Sequence, residues 1–339
     1  MKPQSLLYLR WARFRRHRMG YFALWLFGLM FTLSLFANVI ANDRPLLVHY
    51  HDRYYLPVVQ DYPETTFGGV FETTVDYRDP AVAQLIAQQG WMLWPPIRFA
   101  DQTPNLALDR IPAPPSMQNW LGTDDQGRDV LARILYGLRI SILFGLGLTL
   151  LGSLIGISVG ALQGYYGGVV DLIGQRFIEV WGGLPQLFTT MILVNLFTPS
   201  VYWLFAIMLL FGWVTLVGIV RAEFLRARNQ DYVLAARVMG ASDGRIIFRH
   251  ILPNVLSSTL SQLPFILTAN ITALSTLDFL GYGLPLGSPS LGELFTQAHN
   301  NLDAPWLVLA AFFSMALLLS ALLFIGEAAR DAFDPRNRF

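Results

Sequence analysis

The residues of this chain that could do chemistry cluster between Arg221 and Asn254, and their types argue for a contact rather than a reaction. The central stretch reads DYVLAARVMGASDGRIIFRHILPN, from Asp231 to Asn254. Ala235 and Ala236 offer a small-residue surface that a groove or another helix can approach closely. Gly240 is placed to end a first short helix in a left-handed conformation, and beyond Ala241 either Ser242 or Asp243 can cap a second. Ile246, Ile247, Ile251 and Leu252 give that second helix an apolar face beside Arg245, Arg249 and His250, and Pro253 is expected to end it. Spacing alone leaves two readings open: a docking surface for a partner, or an amphipathic hairpin resting on lipid headgroups.

Catalysis has little to work with. Lys2 is the only lysine, so no glycine-rich phosphate loop can be completed and no internal lysine can form a Schiff base. Cysteine is absent, which removes disulfides, thiolate metal sites and cysteine nucleophiles. His49 and His51 could share one face of a strand, but no third ligand accompanies them, and a solvated loop explains them better. No Ser-His-Asp set and no H-E-x-x-H motif is visible. The net charge of +1 argues against a nucleic-acid partner.

The elements that must position the hairpin are membrane spans. The chain is 54% hydrophobic and 14% charged, against about 25% charged in soluble domains. A helix needs about 20 apolar residues to cross the hydrocarbon. Six segments qualify: 20–41, 140–163, 178–199, 202–220, 256–277 and 306–326. The expectation is therefore an all-α polytopic protein with six transmembrane helices and a periplasmic insert after the first. A cytoplasmic basic segment at 1–19 carries Arg10, Arg13, Arg15, Arg16 and Arg18, and the first span at 20–41 is too long for a signal peptide and has no A-x-A site. An insert with its lead-in helix follows at 42–138, then a core at 139–327 containing the loop 221–255, and a cytoplasmic tail at 328–339. The loop 221–255 holds six arginines, the tail holds Arg330, Arg336 and Arg338, and the connection 278–305 has no Lys or Arg. That asymmetry places both termini and the hairpin in the cytoplasm.

The insert carries twelve acidic residues, seven arginines and several prolines. Its scattered aromatics, Tyr54, Tyr55, Trp91 and Trp94 among them, suggest a small folded unit rather than a tether. Pro185 and Pro264 fall inside spans three and five, where they shape a path or serve packing. Glu179, Asp278 and Glu327 lie at span ends, within reach of headgroups or water. Pro185, Pro264 and Asp278 are the candidates for a translocation path. Ahead of the second span, Gly122 with Thr123 and Asp124 predicts a capped turn into a helix. Gly127, Arg128, Asp129 and Arg133 follow, with Asp129 and Arg133 spaced to pair at i,i+4.

These residues resemble a known family. Ala235-Ala236, Gly240 and Leu252-Pro253 match the "EAA" signature of ABC importer permeases, with Leu234 where the family has Glu and His250 where the general pattern has Ile. Leu121-Gly122-Thr123-Asp124, Gly127-Arg128-Asp129, Arg133 and Tyr136-Gly137 look like the block before the second span in dipeptide and oligopeptide permeases. Gly164-Tyr165-Tyr166-Gly167-Gly168 with Asp171 and Arg176, and Phe279-Leu280-Gly281 with Gly283, match two further blocks. RWARFR, PLLV, WPPIRF, RFIEVW, LPLGSPSLGEL and EAARDAFDP are similar to the Yej-type permeases nearly end to end.

The resemblance implies a non-catalytic permease subunit of a bacterial inner-membrane importer of oligopeptides, including the peptide antibiotic microcin C. It implies a paralogous permease as heterodimer partner, two cytoplasmic ABC ATPase domains and a periplasmic peptide-binding protein. ATP and Mg would be bound by the ATPase, with no cofactor or metal on this chain. Ala235, Ala236, Gly240, Ala241, Ser242, Asp243, Leu252 and Pro253 become ATPase-coupling residues. Alternatives are a related dipeptide or nickel ABC importer, an ATP-independent carrier, for which few mid-membrane ionisable residues are present, and a membrane hydrolase, for which the catalytic set is missing.

Overall fold

The structure, a computed structural model, describes residues 6–333; Lys2, Arg336 and Arg338, with the outer parts of the 1–19 and 328–339 segments, lie outside the described residues. The chain forms two compact units. One takes in the chain up to Gly28, Ile142–Pro285 and the stretch from Leu317 onward; the other takes in Leu29–Ser141 and Leu286–Ala316.

Helix α1 (Leu6–Arg16) is followed after His17 by α2 (Arg18–Leu35), and His17 Nδ1 accepts the amide of Gly20 at 3.1 Å, capping the second helix. After the single turn α3 (Ala37–Ile40) come β1 (Leu47–Tyr50) and β2 (Arg53–Tyr55). Their connecting residues His51 and Asp52 both have positive φ, as the tightest hairpin turns require. His51 therefore lies in the turn rather than on the strand face of His49. Helix α4 (Pro80–Gln89) starts under Asp79, whose side chain accepts from Ala81 N, and β3 (Gly90–Leu93) completes an antiparallel sheet of order β2-β1-β3. Val48, Phe67, Tyr77, Val82 and Ile86 form its core, with Phe67 edge-on to Tyr50, Tyr55 and Tyr77. The insert is thus folded, and its sheet corrects the all-α expectation for this part of the chain.

Helix α5 (Val130–Tyr166) has 37 residues, about 55 Å at 1.5 Å per residue. Helices α6 (Gly168–Gly182), α7 (Gln186–Asn195), α8 (Val201–Gly212) and α9 (Val214–Ala227) follow. Next are α10 (Asp231–Val238), the short turn α11 (Asp243–Arg245), a π-helical stretch Ile246–Ile251, α12 (Leu252–Leu260) and α13 (Leu263–Phe279). Helices α14 (Leu291–Asn300) and α15 (Pro305–Phe333) close the described chain. Among the described residues, four helices are long and apolar enough to cross a membrane: α2, α5, α8–α9 taken as Val201–Ala227, and α15. Two bent pairs raise the number to as many as six.

The bends revise two expected spans. The segment 178–199 is split between α6 and α7, which meet at 72°, and 256–277 between α12 and α13, which meet at 55°. A proline lacks the N–H that would bond the carbonyl four residues back and crowds that carbonyl. For Pro264 that residue is Leu260, the last of α12. For Pro185 it is Trp181, the next-to-last residue of α6. The prolines thus break their helices outright rather than kink them. Pro253, in contrast, does not end its helix: the wide π-helical turn ahead of it runs directly into α12 with Pro253 in the first turn, where its missing N–H is tolerated.

One packing seam went unread in the sequence. Gly152, Gly156, Gly160 and Gly164 recur every four residues on α5 and face the end of α8 and the length of α9. A Cβ at Gly156 would lie 2.5 Å from the Trp213 carbonyl, at Gly160 2.8 Å from that of Val217, and at Gly164 2.6 Å from that of Arg221. Small residues at this spacing allow backbones to touch, which is how helices associate when lipid offers no hydrophobic driving force.

Candidate coupling loop and buried ionic clasp

The hairpin is built on that seam. Beyond α9 the chain enters α10, whose Val233 and Ala236 are buried against Ala161 and Tyr165 of α5, Val220 and Phe224 of α9, and Ile246, Ile247 and Ile251. Of the two signature alanines, Ala236 faces this core and Ala235 faces outward. Gly240 has φ of +80°, with its amide bonded to Arg237 O and the Ala241 amide to Ala236 O, each at 3.0 Å. This double closure is the Schellman motif, and it needs a residue at ease in the left-handed region. Ser242 occupies the cap position of the next turn without a side-chain cap bond. Asp243 instead accepts from the Tyr165 hydroxyl at 2.5 Å, which also receives Arg237 at 3.4 Å. Asp243 therefore ties the hairpin to the end of α5 rather than capping. Beside it, Arg221 holds Asp171 in a two-pronged ion pair, its second prong at 2.6 Å. Leu252 and Pro253 lie at the π-to-α junction described above.

The outward side of this loop is apolar. Val238 is 88% exposed, Met239 80% and Phe248 71%. Leu234, the departure from the signature, is also exposed.

The Gly122–Arg133 block builds a different kind of site. Asp124 accepts the amides of Gln126 and Arg128 at 2.9 Å and Arg128 Nε at 2.7 Å. Glu293 of α14 bridges Arg128 at 3.1 Å and Arg133 at 2.6 Å, and Arg133 Nε lies 3.5 Å from Asp124. Arg133 also donates to the carbonyls of Asp101 and Ser288. The arginines and Asp124 are almost wholly buried, and two positive charges face two negative ones. The expected Asp129–Arg133 pair does not form. Asp129 sits one residue outside α5 and caps it, accepting Ala132 N at 2.8 Å and Asn119 Nδ2 at 2.8 Å. Burial pushes the Asp129 carboxyl up from its ordinary range; Asp125 is raised too, by burial and then by the Asp124 charge. Thr123 accepts Ala113 N through its hydroxyl, and Gly122 and Gly127 take positive φ in the turns.

Glu293 was missed by sequence reasoning. The available signal was charge balance: the lysine- and arginine-free connection supplies Glu293 and Asp303, and both pair with arginines, Asp303 with Arg110 at 3.1 Å.

Of the path candidates, Pro185 ends the break before α7 and Pro264 opens α13. A cavity of about 270 Å³ lined by Gln186, Thr190, Met208 and Thr276 lies along these helices. Asp278 accepts the Leu284 amide at 2.6 Å, bracing the turn after α13. Among the described residues no cluster of three or more metal-ligating side chains occurs.

Known proteins with these features are consistent in kind. Residues 152–339 match the model of the binding-protein-dependent transport system inner membrane component, and residues 5–62 that of the N-terminal TM domain of oligopeptide transport permease C. The chain is 59% identical to the inner membrane ABC transporter permease protein YejE of Escherichia coli K12, over 97% of this chain and 96% of that protein. It is 50% identical to the peptidoglycan transport system permease protein YejE of Agrobacterium fabrum, over 97% and 93%. The dipeptide transport system permease protein DppC of Bacillus subtilis is 38% identical over 66% of this chain and 71% of its own length. The chain belongs to the binding-protein-dependent transport system inner membrane components, in their Yej-type branch.

Proposed function

We propose that this chain is one transmembrane half of an ABC importer that carries oligopeptides from periplasm to cytoplasm. A paralogous permease supplies the other half, a periplasmic binding protein delivers the peptide, and two separate ATPase subunits bind ATP and Mg and supply the energy. The chain itself is non-catalytic. The observation that carries the reading is the apolar tip of Val238, Met239 and Phe248 around the left-handed Gly240. These are large apolar side chains left exposed on an arginine-bearing loop, and exposed apolar surface rimmed by polar residues marks a protein contact. Ala235 is part of that contact, whereas Ala236, Asp243 and Leu252 hold its base, with Ala241, Ser242 and Pro253 shaping the turn.

The topology supports the same reading. Phe14 of α1 is buried against Ala328 and Ala332 of α15, and Arg10 stacks over Phe333 at 4.9 Å. The two ends of the described chain therefore meet, as an even number of spans requires. With six spans, counting each bent pair once, the arginine-rich ends and the 221–255 loop face the cytoplasm and the 42–138 insert faces the periplasm. The Gly122–Arg133 clasp then braces the outer side, and Pro185, Pro264 and Asp278 flank the path. The names of the relatives support short peptides as cargo, and the resemblance to the Yej-type permeases adds peptide antibiotics such as microcin C. The name of the Agrobacterium relative favours a second reading, a peptide derived from peptidoglycan.

The test is Gly240→Val. A branched side chain at φ +80° costs about 1–2 kcal/mol locally and opens the Schellman closure. The expected outcome is loss of peptide uptake and of ATPase co-purification while membrane insertion is retained. Normal transport with normal ATPase assembly in that variant removes the coupling assignment.

A further inference from the structure

We infer that the insert carries a binding site for a short peptide, reading the peptide's carboxylate through Arg78 and Arg98. A cavity of about 760 Å³ opens in the insert, within the range of ligand sites and large enough for a few residues. Its apolar wall comes from Ala83 and Ala87, one turn apart on α4, and from Trp94 and Phe99. No aspartate or glutamate lines it.

Four arginines of the same unit are held by carboxylates. Arg44 pairs with Asp61, Arg110 with Asp303, Arg128 with Asp124, and Arg133 with Glu293. Arg78 and Arg98 have no ion pair among the described residues. Both are instead laid over aromatic rings, Arg78 on Phe99 at 4.9 Å and Arg98 on Trp94 at 5.4 Å. A guanidinium held over a ring is restrained by the cation–π contact, and its planar N–H fork fits a carboxylate through two parallel hydrogen bonds. Two pre-positioned cations beside an aromatic and aliphatic wall select a ligand with a carboxylate and a bulky apolar side chain. A short peptide ending in Leu or Phe has that chemistry. The identification of the ligand as a peptide rests on the import reading; the anion-and-apolar character of the site does not.

The experiment uses the purified full-length chain in lipid nanodiscs and tripeptides labelled at the N-terminus, ending in Phe as the free acid or as the amide, followed by fluorescence anisotropy. The free acid is expected to bind at least tenfold more tightly than the amide. Arg78→Gln with Arg98→Gln should cost tenfold or more, and Arg78→Lys with Arg98→Lys should recover part of it. Arg53→Gln, an exposed arginine on β2 outside the cavity, should change nothing. Equal binding of acid and amide, an unaffected double Gln variant, or no saturable binding up to millimolar peptide overturns the site. So does a photo-crosslinker at the exposed Met117 that captures a periplasmic protein while added peptide fails to compete. Uptake by the complete transporter is read separately: peptide binding through the two arginines without any uptake defeats the import reading and leaves the site standing.

Discussion

The two motif blocks of this chain are built in opposite ways. The Gly122–Arg133 block turns its charges inward, where the buried Asp124, Arg128 and Arg133 and the half-buried Glu293 pair with one another. The Asp231–Asn254 block buries Val233, Ala236 and three isoleucines, and leaves Val238, Met239 and Phe248 in the open. Motif residues of the first kind act on the fold, because their partners are within the chain. Motif residues of the second kind expose apolar side chains, the surface that the proposed function gives to a partner. Substitutions should therefore separate the two blocks by what fails first: stability in one, coupling in the other.

The hardest test of that contrast is Arg133→Leu. Removing one member of a buried charge set leaves the rest unbalanced, here Glu293 and Asp124 with Arg128 alone between them, at a cost of about 3–5 kcal/mol. Denaturant titration of the purified chain should show the loss. Arg133→Leu combined with Glu293→Leu should be less damaging than Arg133→Leu alone, since Asp124 and Arg128 then remain as a balanced pair. A neutral single variant would mean that the clasp does not hold the fold.

Next in size is Gly160→Leu. The seam leaves no room for a side chain opposite Val217 O, so α5 and α9 must separate, at about 1–3 kcal/mol. Because the Asp231–Asn254 hairpin packs on these two helices, uptake should fall together with stability. Unchanged stability would show that the helices part without cost. Gly160→Ala should be milder but still measurable by the same titration.

How much of this was legible depended on whether a feature was local. The positive φ at Gly240 followed from a glycine between two helical runs, and the folded insert from its aromatics. The broken helices were half-legible: Pro185 and Pro264 were seen, but the apolar runs around them read as straight spans because hydropathy does not register a bend. The four-residue glycine spacing at 152–164 was in plain view; only a partner backbone gives it meaning. Glu293 is 160 residues from Arg133, and a single sequence carries no pairing between them. Asp129 and Arg133 had the right spacing for a helical pair, yet Asp129 stands at the cap, where carboxylates bond amides.

That cap gives a smaller effect with a sign that depends on pH. Asp129→Ala should cost about 1 kcal/mol through loss of the bond to Ala132 N. Asn caps as well as Asp and also removes a buried charge, so Asp129→Asn should be near neutral. Burial raises the Asp129 carboxyl, so the folded chain binds the proton more tightly than the unfolded one, and wild-type stability from this group falls as pH rises through the raised value. The Asn variant should gain on wild type between acid and neutral pH. A difference that stays flat with pH would mean the carboxylate bears no burial cost.

The smallest change in stability should accompany the largest change in coupling. Met239→Ser and Phe248→Ser remove side chains that touch little of this chain, so unfolding should shift by no more than about 0.5 kcal/mol. If those side chains seat in a groove on a partner ATPase, each exchange removes buried apolar area worth about 1.5–3 kcal/mol at the contact, roughly ten- to a hundredfold in affinity. Pull-down of the ATPase and peptide uptake should both weaken by that order. Should these variants instead destabilise the isolated chain, the tip would be a structural element like the clasp, and the two blocks would differ only in how they are buried.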